Sequence, residues 1–268
     1  DLYGGPQVHH QTTSGEPVNV RNLGRRMPLW GYLLERLLCA SLSIPCFGYA
    51  LFEPAAYNFL TYWTLLLHVV YFSVDKASPH AAAPVRLLHG MSLVGGIAVF
   101  LGYAVLSLVG ILHWGSWSEW ARQITLTAGN VPRAFHLQAI EKSWEHAWPV
   151  IAHVLDCRVN RAELQRCYGR ARRLPSTLCA VGSFLAFATC WEQLTVRSSG
   201  GDVFAQYAID PGLRTPAFAA ALGIPRAWVV GLEDDFLFSN LQKTVMVVGA
   251  VSGYWLLTAP LFKKGKTQ

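Results

Sequence analysis

The chain of 268 residues is 52% hydrophobic and only 14% charged, with a mean hydropathy of +0.29. Because soluble domains carry about 25% charged residues, this composition excludes an ordinary soluble globular protein. The formal net charge of +6 does not indicate nucleic-acid binding, since the basic residues are concentrated in particular loops between apolar segments.

Six apolar segments are candidates for membrane-spanning helices. In chain order they are Leu29–Phe52, Tyr57–Val74, Leu87–Trp114, Ala134–Leu155, Leu174–Leu194 and Phe236–Phe262. A helix needs about 20 mostly apolar residues to cross a bilayer core, and a spanning segment must satisfy its own backbone hydrogen bonds. We therefore predict an all-α, polytopic membrane protein with about six transmembrane helices, formed by residues 29–262 as one domain.

Individual residues in the first and third spans predict further local features. Pro45 lies inside the first span and predicts a kink near Ser41–Cys46. Glu35 and Arg36 in the same span are expected to extend their charged ends to the lipid headgroups. The third span is rich in glycine, which predicts either close helix contact or a lipid seat.

Three segments lie outside the predicted membrane region. Residues 1–28 are polar and predict an extended N-terminal arm, and residues 263–268 form a basic tail. Residues 197–235 are punctuated by Gly and Pro, which predicts an extramembrane cap between the fifth and sixth helices. The chain begins at Asp1 rather than Met, which is typical of a processed protein whose targeting segment has been removed.

The basic residues favour one side of the membrane. With six spans, both termini and the second and fourth loops share a side that carries fourteen Lys and Arg, against seven on the other. The positive-inside rule then places the termini in the cytosol or the mitochondrial matrix. The loop before the fifth span could set this topology alone, or could also bind anionic phospholipid such as cardiolipin. Its basic residues are Arg158, Arg161, Arg166, Arg170, Arg172 and Arg173.

Polar side chains inside spans are candidate site residues because hydrocarbon disfavours them. The second span carries Asn58, Thr61, Thr64 and His68, and the last three share one helix face. The fourth span carries Glu145, His146, His153 and Asp156, and the fifth ends near Glu192 and Gln193. Thr61 could act as a nucleophile with His146 as its base, or the same groups could satisfy one another as a buried network.

Metal and disulfide sites are not predicted. The spacing of His146, His153 and Asp156 lets at most two of them point towards one ion, and no HExxH-type motif is present. The six cysteines form no CxxC pair, so we expect free thiols and no cysteine metal site. No cofactor is expected apart from bound phospholipid.

The stretches Asn58–Tyr62 and Leu65–Phe72 resemble the second helix of the androgen-induced-gene-one family. That family consists of multi-pass membrane threonine hydrolases that cleave fatty-acid esters of hydroxy fatty acids. Its aromatic-Leu-Thr motif supplies the nucleophile, which the resemblance assigns to Thr61. The stretch Glu145–Asp156 is similar to the family's fourth helix, which has a histidine, then a proline, then an apolar run ending in an acid. The resemblance covers roughly residues 30–260 and implies the family's helical fold.

One position departs from the family pattern. The family's catalytic histidine stands five residues before the proline, where this chain has Trp144, whereas His146 stands three residues before Pro149. His146 can therefore act as the base only if the helix is shifted or rotated.

Three features favour a structural accessory subunit that has reused the fold of this family. They are the displaced histidine, the N-terminal arm and the cap. The expected setting is an oxidative-phosphorylation complex of the mitochondrial inner membrane, either a respiratory-chain complex or ATP synthase, with both termini in the matrix. The subunit would pack against other membrane subunits and anionic phospholipid. The alternative is an intramembrane hydrolase of long-chain lipid esters that uses Thr61 and His146. The alternative location is an endomembrane or the plasma membrane with cytosolic termini.

Overall fold

The computed structural model describes residues 29–48, 59–76, 78, 81–127, 134–169, 171–197, 214–232 and 236–262. All regular structure within these ranges is helical and none is β-strand, which confirms the predicted all-α class. The predicted arm at residues 1–28, the basic tail at 263–268, and residues 198–213 and 233–235 of the predicted cap lie outside the described residues.

Ten α-helices occur in the described part of the chain. They are α1 Leu29–Ser43, α2 Leu60–Ser73, α3 Ala82–Trp114, α4 Trp117–Thr127, α5 Phe135–His146, α6 Trp148–Val159, α7 Arg161–Tyr168, α8 Arg173–Trp191, α9 Thr215–Ala221 and α10 Phe236–Thr258. Four short turns join or extend them: the π-helical turns Ile44–Gly48 and Glu192–Arg197, and the 3₁₀ turns Arg226–Trp228 and Ala259–Leu261. The first π-helical turn contains Pro45, at the place where the sequence predicts a kink.

Three helices are long and apolar enough to cross a membrane, judged by length and composition. They are Ala82–Trp114, Arg173–Leu194 and Asn240–Leu261. They match the predicted third, fifth and sixth spans, and they give the protein the character of a helical membrane protein. The described residues thus contain three such helices where the sequence predicts six.

The other three predicted spans differ for local reasons. The first is a helix of 15 residues that changes to π-helical hydrogen bonding at Ile44, and the second is an apolar helix of 14 residues. The fourth is interrupted at Ala147, so α5 and α6 have 12 residues each. Pro149 has no N–H to donate to the carbonyl of Glu145, which explains an interruption at this point.

Helix α3 lies at the centre of the bundle and packs against α2, α4, α8 and α10. One apolar core joins α1, α2, α6 and α7, and a second joins α3, α8 and α10. A Cβ added at Gly95 would lie 2.7 Å from Phe184 and 2.9 Å from Thr64. The glycine-rich sequence of this helix therefore permits close helix contact, as predicted.

Candidate functional site

The structure brings Thr61 and His146 together, although they lie on different helices. Thr61 is in the first turn of α2, and His146 is the last residue of α5. Thr61 Oγ1 lies 3.4 Å from His146 Nε2, and His146 Nδ1 lies 2.8 Å from the carbonyl oxygen of Lys142. Because a carbonyl only accepts, Nδ1 carries the proton and Nε2 presents its lone pair to the threonine hydroxyl. This is the tautomer that a general base requires.

The interruption at Ala147 makes His146 the last residue of α5, from where it reaches Thr61 of α2. Trp144 points towards α1 and donates from Nε1 to the carbonyl oxygen of Ser41 at 3.0 Å. Trp148 also donates to Ser41, at 2.9 Å between Nε1 and Oγ. The two indoles hold both sides of the break against α1, and His146 lies between them facing Thr61.

Tyr103 of α3 holds the His146 ring from a second direction. The two rings stack with centres 3.9 Å apart and planes 24° apart. The Tyr103 hydroxyl accepts a hydrogen bond of 3.1 Å from Trp117 Nε1. Sequence reasoning missed Tyr103, because no local spacing links α3 to His146.

Glu145 ties α5 to α2 beside the Thr61–His146 pair. Tyr62 donates to Glu145 Oε1 at 2.9 Å, and Lys142 Nζ lies 2.9 Å from Oε2. The closest approach of Glu145 to His146 Nδ1 is 4.0 Å, which is too long for a hydrogen bond. Glu145 therefore joins α5 to α2, and the backbone carbonyl of Lys142 orients the imidazole of His146.

Three buried histidines lie deeper in the bundle. His68 Nδ1 donates to the carbonyl oxygen of Thr64 at 2.6 Å, and the His153 ring lies 5.0 Å from the His68 ring and 5.2 Å from the His89 ring. His89 belongs to α3 and was missed by the sequence reasoning. No group of three or more His, Cys, Asp or Glu side chains among the residues with described positions is arranged to hold a metal ion.

A buried ionic cluster lies beyond the histidines. Lys76 Nζ lies 2.6 Å from Glu35 Oε1 and 2.8 Å from Asp156 Oδ1, and all three side chains are almost completely buried. Asn160 Nδ2 donates to Asp156 at 2.7 Å, and the hydroxyl of Tyr71 donates to the same carboxylate. The expectation that Glu35 reaches the headgroups is therefore wrong, because Lys76 neutralises it inside the bundle.

The basic loop residues do not all face the same surroundings. Arg166 donates to the carbonyl oxygen of Lys76 at 2.5 Å, and Arg173 donates to that of Trp255 while its guanidinium lies 3.8 Å from the centre of the Trp255 ring. Arg166 therefore joins α7 to the segment after α2, and Arg173 joins α8 to α10. Arg158, Arg161 and Arg172 are exposed, as is most of Arg166, and Arg170 lies outside the described residues.

Two of the remaining polar residues named from the sequence, Glu192 and Gln193, lie directly after α8. Glu192 Oε1 lies 3.1 Å from Lys243 Nζ and links the end of α8 to α10. Gln193 is exposed beside it, and Asn58 lies outside the described residues.

No protein-family model, curated protein or solved structure matches this chain. The fold and site together define a helical protein with apolar, membrane-length helices and a Thr–His pair between helices α2 and α5. The geometry of that pair is therefore the feature of the molecule that bears on its function.

Proposed function

We propose that this protein is an intramembrane hydrolase of long-chain lipid esters, with Thr61 as nucleophile and His146 as general base. The observation that carries the proposal is the distance of 3.4 Å between Thr61 Oγ1 and His146 Nε2, together with the Nδ1 contact to Lys142 that fixes the tautomer. A threonine hydroxyl needs a base within hydrogen-bond reach to act as a nucleophile. The proposal also makes the chain a divergent member of the androgen-induced-gene-one family.

The chemistry follows the general acid–base pattern of acyl transfer. His146 Nε2 takes the proton of Thr61 as Oγ1 attacks the ester carbonyl, and the resulting imidazolium gives that proton to the departing alcohol. The acyl group then remains on Thr61 Oγ1. Water attacks this second ester while His146 again accepts a proton, which releases the fatty acid and restores the threonine.

The local backbone is suited to the negative charge that develops during attack. Thr61 is the second residue of α2, so the N–H groups of Leu60 and Thr61 belong to the turn that has no intrahelical acceptors. Such groups stabilise an oxyanion when they point at the reacting carbonyl. Thr61 is a partly exposed residue on a strongly apolar helix, which favours an ester dissolved in the bilayer over a water-soluble one.

Cleavage of defined substrates by the purified chain tests this proposal. Thr61→Ala should abolish hydrolysis of long-chain lipid esters measured by mass spectrometry of the released fatty acid, because no other oxygen replaces Oγ1. Thr244→Ala is the matched control, since Thr244 is exposed on α10 and bonds only the carbonyl of Asn240 among the contacts observed. Unchanged cleavage by the Thr61→Ala protein would refute the mechanism.

A second candidate function is a structural accessory subunit of a mitochondrial inner-membrane oxidative-phosphorylation complex. It is favoured by the exposed apolar face of α1, where Leu29, Trp30 and Leu37 are 68%, 78% and 68% exposed. Neighbouring subunits could cover this face, and the Thr61–His146 pair would then serve as a buried structural contact. In this proposal the respiratory chain or ATP synthase supplies the partner helices.

Both proposed functions use the same arrangement of the chain in the membrane. We propose six spans, in which α1 with its π-helical turn, α2, and the interrupted α5–α6 pair cross the membrane beside the three longer helices. Both termini then share the basic side, in the matrix or, alternatively, the cytosol. The exposed Arg158, Arg161 and Arg172 lie on that side and suit the phosphate groups of an anionic phospholipid such as cardiolipin.

A further inference from the structure

Helix α4 folds back against the end of α3. Gly115, with a φ of 78°, ends α3 in the left-handed region that glycine favours, and α4 begins two residues later. Trp120 of α4 is 1% exposed and packs in one apolar cluster with Leu106 of α3 and Phe238 of α10. Its indole leaves no room for a Cβ at Gly110. A closely packed aromatic side chain therefore fixes the position of α4 on α3.

The first turn of α4 reaches the tyrosine that stacks on His146. Trp117 Nε1 donates to the Tyr103 hydroxyl at 3.1 Å, and the rings of Tyr103 and Trp120 lie 5.8 Å apart. The Tyr103 ring in turn lies 3.9 Å from the His146 ring, centre to centre. With its hydroxyl held by α4, the Tyr103 side chain cannot swing away from the imidazole without breaking this hydrogen bond.

The second half of α4 is joined to α5, the helix that carries His146. Gln138 of α5 is 7% exposed, and its Nε2 donates to the carbonyl oxygen of Ala121 at 3.1 Å and to Thr125 Oγ1 at 2.7 Å. Gln138 precedes His146 by about 12 Å along the helix axis. The same short helix therefore contacts both the ring that stacks on His146 and the helix that ends at His146.

We infer that α4 is a brace that holds the His146 imidazole in the orientation for proton transfer from Thr61, with Trp117 and Gln138 as positioning residues. Trp117 acts through Tyr103, and Gln138 acts through the position of α5. This inference rests on the proposed ester hydrolysis and deepens it, because it makes the rate of the reaction depend on α4 as well as on α2 and α5.

Hydrolysis of a long-chain ester by the full chain tests the brace at both contacts. Trp117→Phe keeps an aromatic ring but has no N–H for Tyr103, and Gln138→Met keeps the length of the side chain but has no amide. Each should lower kcat about 10-fold, the factor that corresponds to the loss of one hydrogen bond. KM should change little, because the contacts that bind the substrate remain.

The matched controls make the same two substitutions elsewhere. Trp228→Phe changes a tryptophan that is 76% exposed in the 3₁₀ turn Arg226–Trp228. Gln165→Met changes a glutamine of α7 whose Nε2 also donates to a backbone carbonyl, that of Pro260 at 2.8 Å. Both control proteins should keep the wild-type kcat.

A double-substitution cycle separates positioning from damage to the fold. Tyr103→Phe keeps the ring against His146 and removes the hydroxyl that Trp117 holds. If the brace acts through this hydrogen bond, Tyr103→Phe and Trp117→Phe should lower kcat by similar factors, and the double variant should be no slower than either. Two unrelated structural losses would multiply, so a double variant that shows the product of the two factors would overturn the route through Tyr103.

The orientation of His146 can also be measured without an ester. In protein labelled with nitrogen-15 histidine in micelles, with His146→Gln to assign its signals, the wild type should show Nδ1 protonated and Nε2 unprotonated. In the Trp117→Phe and Gln138→Met proteins these two signals should move towards each other, since a freer ring exchanges between tautomers. Unchanged signals in both proteins overturn the inference, and so does a wild-type kcat in both. If the wild-type chain cleaves no ester, the proposed hydrolysis fails, and the nitrogen signals alone decide whether α4 holds His146.

Discussion

The tautomer of His146 is set by a backbone carbonyl rather than by a carboxylate. The Nδ1 contact of 2.8 Å to Lys142 O occurs within one turn of α5, so the helix itself orients the ring. Tyr103 stacks on the ring and limits its rotation. A carboxylate is therefore unnecessary for orienting this histidine, and Glu145 is left to join α5 to α2.

Sequence reasoning identified Thr61, His146, His68 and His153 because each interrupts an apolar helix. It missed Tyr103 and His89, which are ordinary residues of an apolar segment until α3 is placed beside α2 and α6. It also misjudged Glu35 and did not identify its partner Lys76. Their burial depends on three separate segments meeting around Asp156, and no local pattern encodes that meeting.

Lys76 should contribute strongly to stability because it is the cation that pairs with both buried carboxylates, Glu35 and Asp156. Lys76→Met would leave Glu35 and Asp156 facing each other without a cation, and loss of one partner of a buried ion pair costs about 3–5 kcal/mol. We expect a correspondingly lower free energy of unfolding, measured by denaturant titration in detergent micelles.

The matched control for this measurement is Lys243→Met. Lys243 pairs with Glu192 at 3.1 Å, but its side chain is 55% exposed, so its loss should cost less than about 1 kcal/mol. Equal stability of the two variant proteins would contradict the assigned role of Lys76.

Among the helices, the break between α5 and α6 at Ala147 is the feature that lets His146 meet Thr61. The composition of residues 134–155 predicts one span, and Pro149 alone does not reveal that two helices of 12 residues result. A proline near a helix start is tolerated, so its effect depends on how the flanking tryptophans pack. Both donate to Ser41 of α1, which fixes the break and directs His146 towards α2.

Pro149→Ala should weaken ester hydrolysis by restoring a hydrogen-bond donor where the helix is interrupted. A more continuous helix would move His146 relative to Thr61, and a misplacement of 1 Å can reduce the rate about 100-fold. We expect a lower kcat with little change in KM, measured on the same long-chain ester.

Pro260→Ala is the corresponding control, since Pro260 lies in the 3₁₀ turn after α10 and belongs to neither helix of the pair. A Pro149→Ala protein with wild-type kcat would show that the interruption is not needed for catalysis.

For the whole molecule, the question is whether the chain acts alone or within an assembly. The described helices enclose the polar residues and leave many large apolar side chains outside, as lipid or neighbouring subunits would require. Lipid alone would suit a solitary hydrolase. Protein neighbours would suit an accessory subunit, in which the exposed face of α1 becomes a contact surface.

Native gels of gently solubilised membranes should distinguish these two states. As a hydrolase the chain should migrate near its own 29.6 kDa plus detergent, and mass spectrometry of that band should find no constant partner. Migration within a very large respiratory or ATP-synthase band would contradict the solitary hydrolase and support the accessory subunit. The measurement uses the full chain, because its whole apolar surface is what lipid or partner subunits would cover.

The sequence by itself determined the helical class, the apolar segments and the polar residues that share a helix face. These properties depend on residues close together in the chain, where composition and the helical period fix the outcome. The tertiary structure decided that Thr61 meets His146, that Tyr103 stacks on it, and that Lys76 joins Glu35 and Asp156. Such contacts depend on where helices bend and how they pack against one another, which the pattern along a single helix does not specify.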